Sequence, residues 1–320
     1  MIRPRVVITD CDHGTVEPEL SVLGGHAEVS VNQCQDAAGL VRLCRDVDGV
    51  ITQYGAFTAD VIHALARCRV IARYGVGVDT IDLEAATARG IVVANVPDYG
   101  TDEVSSHAVA LILALLRQIV RYDRAVRDGR WDFRAGAPIA RMRGLTLGIV
   151  GFGRIGRRVA EKLRPFDLGC LAADPYVTAF PDWVEPVPLG TLLERADVVS
   201  LHCPLTAETR HLIGEAGLRR MKPTAILVNT ARGGVIDTAA LTRALREGWI
   251  AGAGLDVLEQ EPLSPGHPLA AMDRVLLTPH AAFYSEGSIL ELKRRVARAV
   301  LDVLQGRRPA SIANPQVFAG

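Results

Sequence analysis

Gly144-Leu145-Thr146-Leu147-Gly148-Ile149-Val150-Gly151-Phe152-Gly153-Arg154-Ile155-Gly156 is the stretch on which the reading of this chain turns. A short apolar run reads as a buried strand, a G-x-G-x-x-G string follows it at once, and a helical pattern opens behind the glycines. Each glycine then has a task. Gly151 permits a tight turn, Gly153 lets backbone approach an anion, and Gly156 lets a helix lie close on the strand. A helix whose free N–H groups face the loop attracts a diphosphate. Gly151, Gly153, Arg154, Ile155 and Gly156 are therefore the candidate cradle of a dinucleotide. About twenty residues on, where such folds place an acidic residue, the next strand ends in Ala172-Ala173-Asp174-Pro175. A carboxylate there would accept hydrogen bonds from an adenosine ribose and repel a 2′-phosphate, which argues for NAD over NADP.

Outward from this stretch, apolar strands recur at residues 169–173, 198–201, 225–229, 252–256 and 275–278, with helical patterns such as 241–247 between them. Six regularly spaced strands with intervening helices predict a doubly wound parallel sheet. Before it lies a second βαβ array, with strands at 6–9, 48–52, 70–74 and 91–95 and helices at 58–66 and 83–89. A long apolar helix from Thr101 to about residue 119 is expected to be buried on nearly all sides between the two domains. The last helix, about 285–304, is expected to return to the first array. The expected substrate-binding domain is thus discontinuous, residues 1–98 plus 286–320, and 99–285 forms the NAD-binding domain. The tail 309–320 is expected to be partly disordered.

Bulk composition agrees with two α/β domains of roughly 150 residues each in a chain of 320. Apolar residues make up 49% and aromatics 5%, so the interior must be mostly Val, Ile, Leu and Ala, as in parallel sheets covered on both faces. Basic and acidic residues balance at 36 each, which leaves no field to hold nucleic acid or an anionic membrane. The first ten residues lack the pattern of a signal peptide, and the apolar run 108–116 is too short to span a bilayer. A cytoplasmic protein with no nucleic-acid or membrane partner is expected. Cys11, Cys34, Cys44, Cys68, Cys170 and Cys203 show no C-x-x-C pair and no adjoining His, so neither a disulfide framework nor a metal site is expected.

Three polar features follow successive strands of the second array, at the edge where a doubly wound sheet binds ligands. They are Asn229-Thr230-Ala231-Arg232-Gly233-Gly234, Asp256 with Glu259-Gln260-Glu261-Pro262, and Thr278-Pro279-His280. Reduction of a 2-oxo acid needs a cation for the carboxylate and carbonyl, and a proton donor for the oxygen. Arg232 and His280 fit those needs, and Glu261 is the candidate carboxylate that would keep the imidazolium available.

With these residues in place, the chain resembles the D-isomer-specific 2-hydroxyacid dehydrogenases over nearly its whole length. The likeness rests on Arg73-Tyr74-Gly75-Val76-Gly77-Val78-Asp79, Gly151 to Gly156, His202-Cys203-Pro204-Leu205-Thr206, the run 229–237, Gly254-Leu255-Asp256-Val257, Glu261-Pro262 and Thr278-Pro279-His280. Asn95-Val96-Pro97 and the run 280–286 resemble the branch of the C-terminal-binding proteins and phosphoglycerate dehydrogenases. The resemblance implies a flavodoxin-like substrate domain and a Rossmann NAD domain, joined by interdomain helices and closing on hinges near Pro97 and Ser285. It implies Arg232 as binder of carboxylate and carbonyl, His280 as general acid, and Glu261 as its partner. It also implies that the Val76 and Gly77 amides hold a substrate carboxylate, with Arg73, Tyr74 and Gly75 around them. Cys203, Pro204, Thr209, Thr230 and Ala231 would border the cofactor, with Asp256 facing the nicotinamide amide. A homodimer joined through the helix at 101–119 is the corresponding expectation.

Phe283, three residues after His280, would give the substrate an apolar wall, whereas Arg73 would favour a second anionic group; the two clues conflict. The interdomain helix carries Ser106 before His107, where many members have Glu, so His107 is read as structural. The L-lactate and malate dehydrogenases are disfavoured because about 145 residues precede the glycine string here. Two alternatives keep the scaffold: an NAD(H)-sensing interaction protein of corepressor type, against which the intact Arg232, Glu261 and His280 argue, and an oxidiser of phosphite or formate.

Overall fold

Short runs of Val, Ile and Ala become strands covered on both faces, and the first unit is built that way. In the computed structural model, which describes residues 3–318, β1 (Arg5–Ile8), α1 (Glu17–Leu23), β2 (Glu28–Val31), α2 (Ala37–Cys44), β3 (Gly49–Thr52), α3 (Ala59–His63), β4 (Val70–Arg73), α4 (Leu83–Ala88) and β5 (Val92–Ala94) alternate. The strands are parallel in the order β2-β1-β3-β4-β5, the flavodoxin-like winding. Asp36 and Asp82 start α2 and α4 by accepting the N–H groups of Gly39 and Ala85. Val50, Ile71 and Val93 of the sheet meet Leu40, Ile62 and Ala86 of the helices in one core.

The second unit, Thr101–Tyr284, holds α5 (Thr101–Leu116), α6 (Ile119–Arg127), β6 (Thr146–Val150), α7 (Arg154–Leu163), β7 (Gly169–Ala173), β8 (Val184–Pro186), α8 (Leu189–Arg195), β9 (Val198–Leu201), α9 (Glu215–Arg220), β10 (Ile226–Asn229), α10 (Thr238–Glu247), β11 (Gly252–Leu255) and β12 (Val275–Leu277). Its seven parallel strands lie in the order β8-β7-β6-β9-β10-β11-β12, so the winding reverses between β6 and β9. Ligands of doubly wound sheets bind beyond the C-terminal strand ends at such a switch point. The last helix, α11 (Glu286–Leu304), opens on a capping box of Ser285 and Ser288 and belongs to the first unit, where it packs on α1, β3 and β4. Two doubly wound parallel-sheet units are thus present.

Several details depart from the sequence reading. That reading counts four strands in the first array and six in the second, and so misses β2 and β8. Both are edge strands: no residue of β2 is fully buried, and β8 is three residues ending in proline. Neither offers the apolar run that marks a buried strand. The helix expected over 101–119 stops at Leu116; Gln118 adopts a left-handed φ of 54° and the chain restarts as α6. Nor is α5 buried all round. Ser105, Ala108, Leu111, Ile112 and Leu115 form one buried stripe against Leu147, Ile149, Phe152 and Val228, while Asp102, Ser106 and Ala110 are exposed. Small residues made the helix read as more apolar than its burial requires.

The tail expected to be partly disordered is tied down through residue 318, with 319–320 outside the described residues. Asn314 is buried; its Oδ1 accepts the Val93 N–H at 2.8 Å and its Nδ2 donates to the Ile91 carbonyl at 2.9 Å, adding a strand-like anchor beside β5. No single helix among the described residues is long and apolar enough to cross a membrane.

Candidate functional site

At the switch point, Gly151 leaves β6 with φ 87°, and a Cβ on it would stand 2.6 Å from the Cys203 nitrogen. A Cβ on Gly156 would stand 2.1 Å from the Gly151 carbonyl oxygen. Both positions therefore require glycine, the first for conformation and contact, the second for contact alone. Gly153 differs: a Cβ there would meet nothing within 4 Å. Its glycine is not required by the protein's own packing, and with Arg154 it is exposed at the N-terminus of α7, the place where a helix receives an anion. Ile155 is half-buried behind them.

Asp174, at the end of β7, points its carboxylate back at this loop. Oδ2 accepts the Phe152 N–H at 2.8 Å and Oδ1 the Tyr176 N–H at 2.9 Å. Oδ1 also accepts the Val177 N–H at 3.3 Å, whereas Oδ2 keeps a lone pair for a further donor, so capping the loop and meeting a ribose are compatible. Beyond β9, burial pushes the Cys203 thiol up to about 11, which makes it a packing group and not a nucleophile. Thr209 Oγ1 donates to the Pro204 carbonyl at 2.6 Å and so folds the 204–209 loop on itself. Beyond β10, the Ala231 N–H is taken by Asn229, whereas the buried Thr230 hydroxyl has no partner among the described residues. An orphaned hydroxyl, an open glycine face and a carboxylate held on the glycine loop, spread along one sheet edge from β10 to β7, form a set that fits an extended dinucleotide.

The ionisable residues stand further along the same sheet edge. His280 follows β12 with a left-handed φ of 54°, and its Nδ1 lies 2.7 Å from Glu261 Oε2. Partial burial pushes the Glu261 carboxyl up, but hydrogen bonds from His280 and the Leu258 N–H, with the charges of His280 and Arg232, outweigh this and hold it below the ordinary carboxylate range. An ionised Glu261 can only accept, so Nδ1 carries a proton and Nε2 is left for a reacting group. Arg232 is half-buried, with Nη1 on the Ala231 carbonyl at 2.8 Å. A Cβ on the adjacent Gly233 would lie 1.9 Å from the Leu258 carbonyl carbon, so the turn bearing Arg232 interlocks with the loop bearing Glu261. The Phe283 ring meets His280 edge-on, centroids 6.2 Å apart. His202, another imidazole at this edge, is pushed down to about 3 by burial and stays neutral.

Asp256 is almost wholly buried, and its carboxylate accepts from Thr278 Oγ1 at 2.6 Å, the Ala281 N–H at 2.8 Å and the Ala282 N–H at 3.0 Å. The Asp256 carbonyl also takes the His280 N–H at 2.8 Å. The residue thus holds the strained turn on which His280 sits. His107, read from sequence only as structural, joins the same set: its Nε2 is 2.9 Å from Thr278 Oγ1. Because that hydroxyl spends its proton on Asp256, His107 is the donor. The sequence reading assigned no role to Thr278, and none to His211 or Glu259, whose side chains meet at 2.5 Å. Thr278 stands in the Thr278-Pro279-His280 motif and Glu259 in the polar run before Glu261, but only the folded contacts give these three residues a task.

In the first unit, the loop after β4 is shaped for an anion. Gly75 has φ 137°, and a Cβ on it would lie 2.0 Å from Arg73 Nη1, so the guanidinium folds over the loop. Arg73 Nε also donates to the Gln53 carbonyl at 3.2 Å. Among the described residues neither the Val76 nor the Gly77 N–H has an acceptor in the chain, while the Val76 carbonyl is taken by Asn95 at 2.6 Å. Adjacent unspent N–H groups beside a cation form an anion cradle. Tyr74 faces inward: its ring is buried, its N–H pairs with the Thr52 carbonyl, and its hydroxyl donates to Glu19.

Comparisons with known proteins agree with this geometry. Residues 109–282 match the model of the D-isomer specific 2-hydroxyacid dehydrogenase, NAD binding domain. The chain is 43% identical to a glyoxylate reductase of Thermofilum pendens, over 99% of this chain and 96% of that one. Among solved structures, the D-lactate dehydrogenase of Aquifex aeolicus complexed with NAD and lactic acid superimposes with a TM-score of 0.89 at 28% identity, covering 97% of this chain and 99% of that one. The NADPH-dependent glyoxylate/hydroxypyruvate reductase of Sinorhizobium meliloti gives 0.88 at 32% identity and 98% coverage of both. With the glycine loop, the His–Glu pair and the nearby arginine each in place, the chain belongs to the D-isomer-specific 2-hydroxyacid dehydrogenase family and is an oxidoreductase acting on small 2-oxo or 2-hydroxy acids.

Proposed function

We propose that this chain reduces small 2-oxo acids with NADH, glyoxylate to achiral glycolate and its substituted homologues to the D-2-hydroxy acid. The His280–Glu261 pair, 2.7 Å apart beside Arg232, is the observation that carries the reading. The nicotinamide, when bound, supplies the hydride. Arg232 would bind the substrate carboxylate and polarise its carbonyl, and His280 Nε2 would give the oxygen its proton while Glu261 steadies the imidazolium. The Val76 and Gly77 amides with Arg73 are proposed as the first unit's own group for binding a carboxylate.

The preference for NADH rests on Asp174, whose charge is fixed at the ribose end of the loop. A structural neighbour uses NADPH, so both cofactors belong in the assay. Glyoxylate is suggested by the curated relatives, and the D configuration by the family. The exposed Ile119, Val126, Trp131 and Phe133 of the second unit supply the apolar surface a homodimer would cover, which light scattering would test.

His280→Ala should lower kcat for NADH-dependent glyoxylate reduction by about a hundredfold or more, the scale of a lost general acid, with NADH affinity retained. Turnover near the parent level would overturn the assignment.

A further inference from the structure

Glu261 shares its loop with a second carboxylate, Glu259, whose partners are other than His280. Glu259 Oε1 meets His211 Nε2 at 2.5 Å, and its Oε2 accepts the Thr238 N–H at 2.9 Å. Thr238 opens α10, where a carboxylate is favoured by the helix N-terminus. Partial burial raises the Glu259 carboxyl, yet the His211 and Thr238 hydrogen bonds bring it below the ordinary range, so the group is an anion. His211 is itself held unusually, at φ 53° with its N–H on the Gly234 carbonyl at 2.8 Å.

The parts connect in order. Gly233 lies against the Leu258–Glu259 peptide with no room for a side chain, the Leu258 N–H donates to Glu261 Oε1 at 2.9 Å, and Glu261 Oε2 holds His280. Releasing Glu259 frees a side chain that ties this peptide to His211 and to the start of α10. We infer that His211 and Glu259 act together as positioning residues that set Glu261 against His280. The inference rests on the proposed proton transfer by His280. Neither residue touches the reacting atoms, so losing them should slow turnover without weakening ligand binding. The 204–209 loop keeps its own pins, Thr209 on the Pro204 carbonyl and the Thr206 N–H on Thr209 Oγ1, so cofactor affinity should survive.

The test uses the full chain with NADH and glyoxylate. Glu259→Ala removes both hydrogen bonds. His211→Asn removes one with a residue that tolerates positive φ. Glu259→Gln can still accept the Thr238 N–H and donate its amide to the Nε2 of a neutral His211. The expected result is a fall in kcat of about tenfold for Glu259→Ala and His211→Asn, with the glyoxylate KM and the NADH Kd within about twofold of the parent. The double variant should lose no more than the worse single one, and Glu259→Gln should return kcat to near the parent value. Parent-like kcat in folded Glu259→Ala, additive losses in the double variant, or a Gln variant as slow as Ala would each overturn the inference. His280→Ala in the same assay separates the failures. If it is inactive while the Glu259 and His211 variants are parent-like, only the positioning role falls; if it is active, the proton-transfer reading falls first.

Discussion

Two alanine substitutions three residues apart should have opposite signatures if the glycine loop is a cofactor cradle. At Gly156, a Cβ would sit 2.1 Å from the Gly151 carbonyl oxygen and 2.9 Å from Ile149 Cγ2, so backbone must move. Overpacking of this kind costs about 1–3 kcal/mol, partly offset by the gain of about 1 kcal/mol when alanine replaces glycine in a helix. For a unit of this size that is a fall in Tm of a few degrees, at about 2–4 °C per kcal/mol. At Gly153, the Cβ meets nothing within 4 Å. The loss of a good N-cap residue and the smaller entropy of the unfolded chain oppose each other at about 0.5–1 kcal/mol each, so Tm should move by no more than about 2 °C. That open volume is where a diphosphate would approach, and a methyl group there would cost at least one charge-assisted hydrogen bond, about 1.5–3 kcal/mol, or about tenfold to a hundredfold in Kd. Thermal melts with NADH fluorescence titration check both. A Gly153→Ala protein that binds NADH as tightly as the parent would refute the cradle and leave the glycines as a turn.

Asp174→Asn keeps an acceptor for the Phe152 N–H but removes the charge, so the ratio of kcat/KM for NADH over NADPH should fall by about tenfold, measured with both cofactors on one substrate. Glu261 has its carboxyl held below the ordinary range, so its contribution is fully present above about pH 4.3, the unfolded value, and is lost only as pH falls through the lower folded value. The Tm difference between the parent and Glu261→Gln should accordingly persist at pH 6 and vanish under stronger acid; a difference already lost by pH 6 would contradict it. Asn314→Ala leaves the Val93 N–H and the Ile91 carbonyl without their partner, which should cost about 2 kcal/mol or more in denaturant unfolding and open the C-terminal segment to proteolysis.

What could be read from residues in order was whatever repeats locally. Strands such as β6, β9 and β10 are continuous apolar runs, and the glycine string sits directly between β6 and α7. Edge strands carry no such mark, because a face open to water relaxes the demand for apolar residues; Glu28 and Ser30 in β2 show it. The stop after Leu116 was equally hidden, since Gln118 takes up a left-handed turn with no glycine or proline to announce it. Asn314 reads as one polar residue in a proline-flanked tail until its contacts with β5 are seen.

The same division runs through the candidate site and explains its construction. Arg232, Glu261 and His280 stood out because chemistry restricts which side chains can do such work. Thr278, His107, His211 and Glu259 did not, because their task is geometric and many residue pairs could perform it. That task has a physical reason. His280 carries a left-handed backbone, a conformation that costs on the order of 1 kcal/mol for a residue with a Cβ. Such a turn persists only if its neighbours over-determine it, and here the Asp256 carboxylate takes the next two N–H groups while its carbonyl takes that of His280 itself. The buried Asp256 carboxylate has its acceptors satisfied because Thr278, itself hydrogen-bonded by His107, donates to it as well. The buried Asp256 carboxylate, expected from sequence to face the nicotinamide, also fixes the turn from which the imidazole projects.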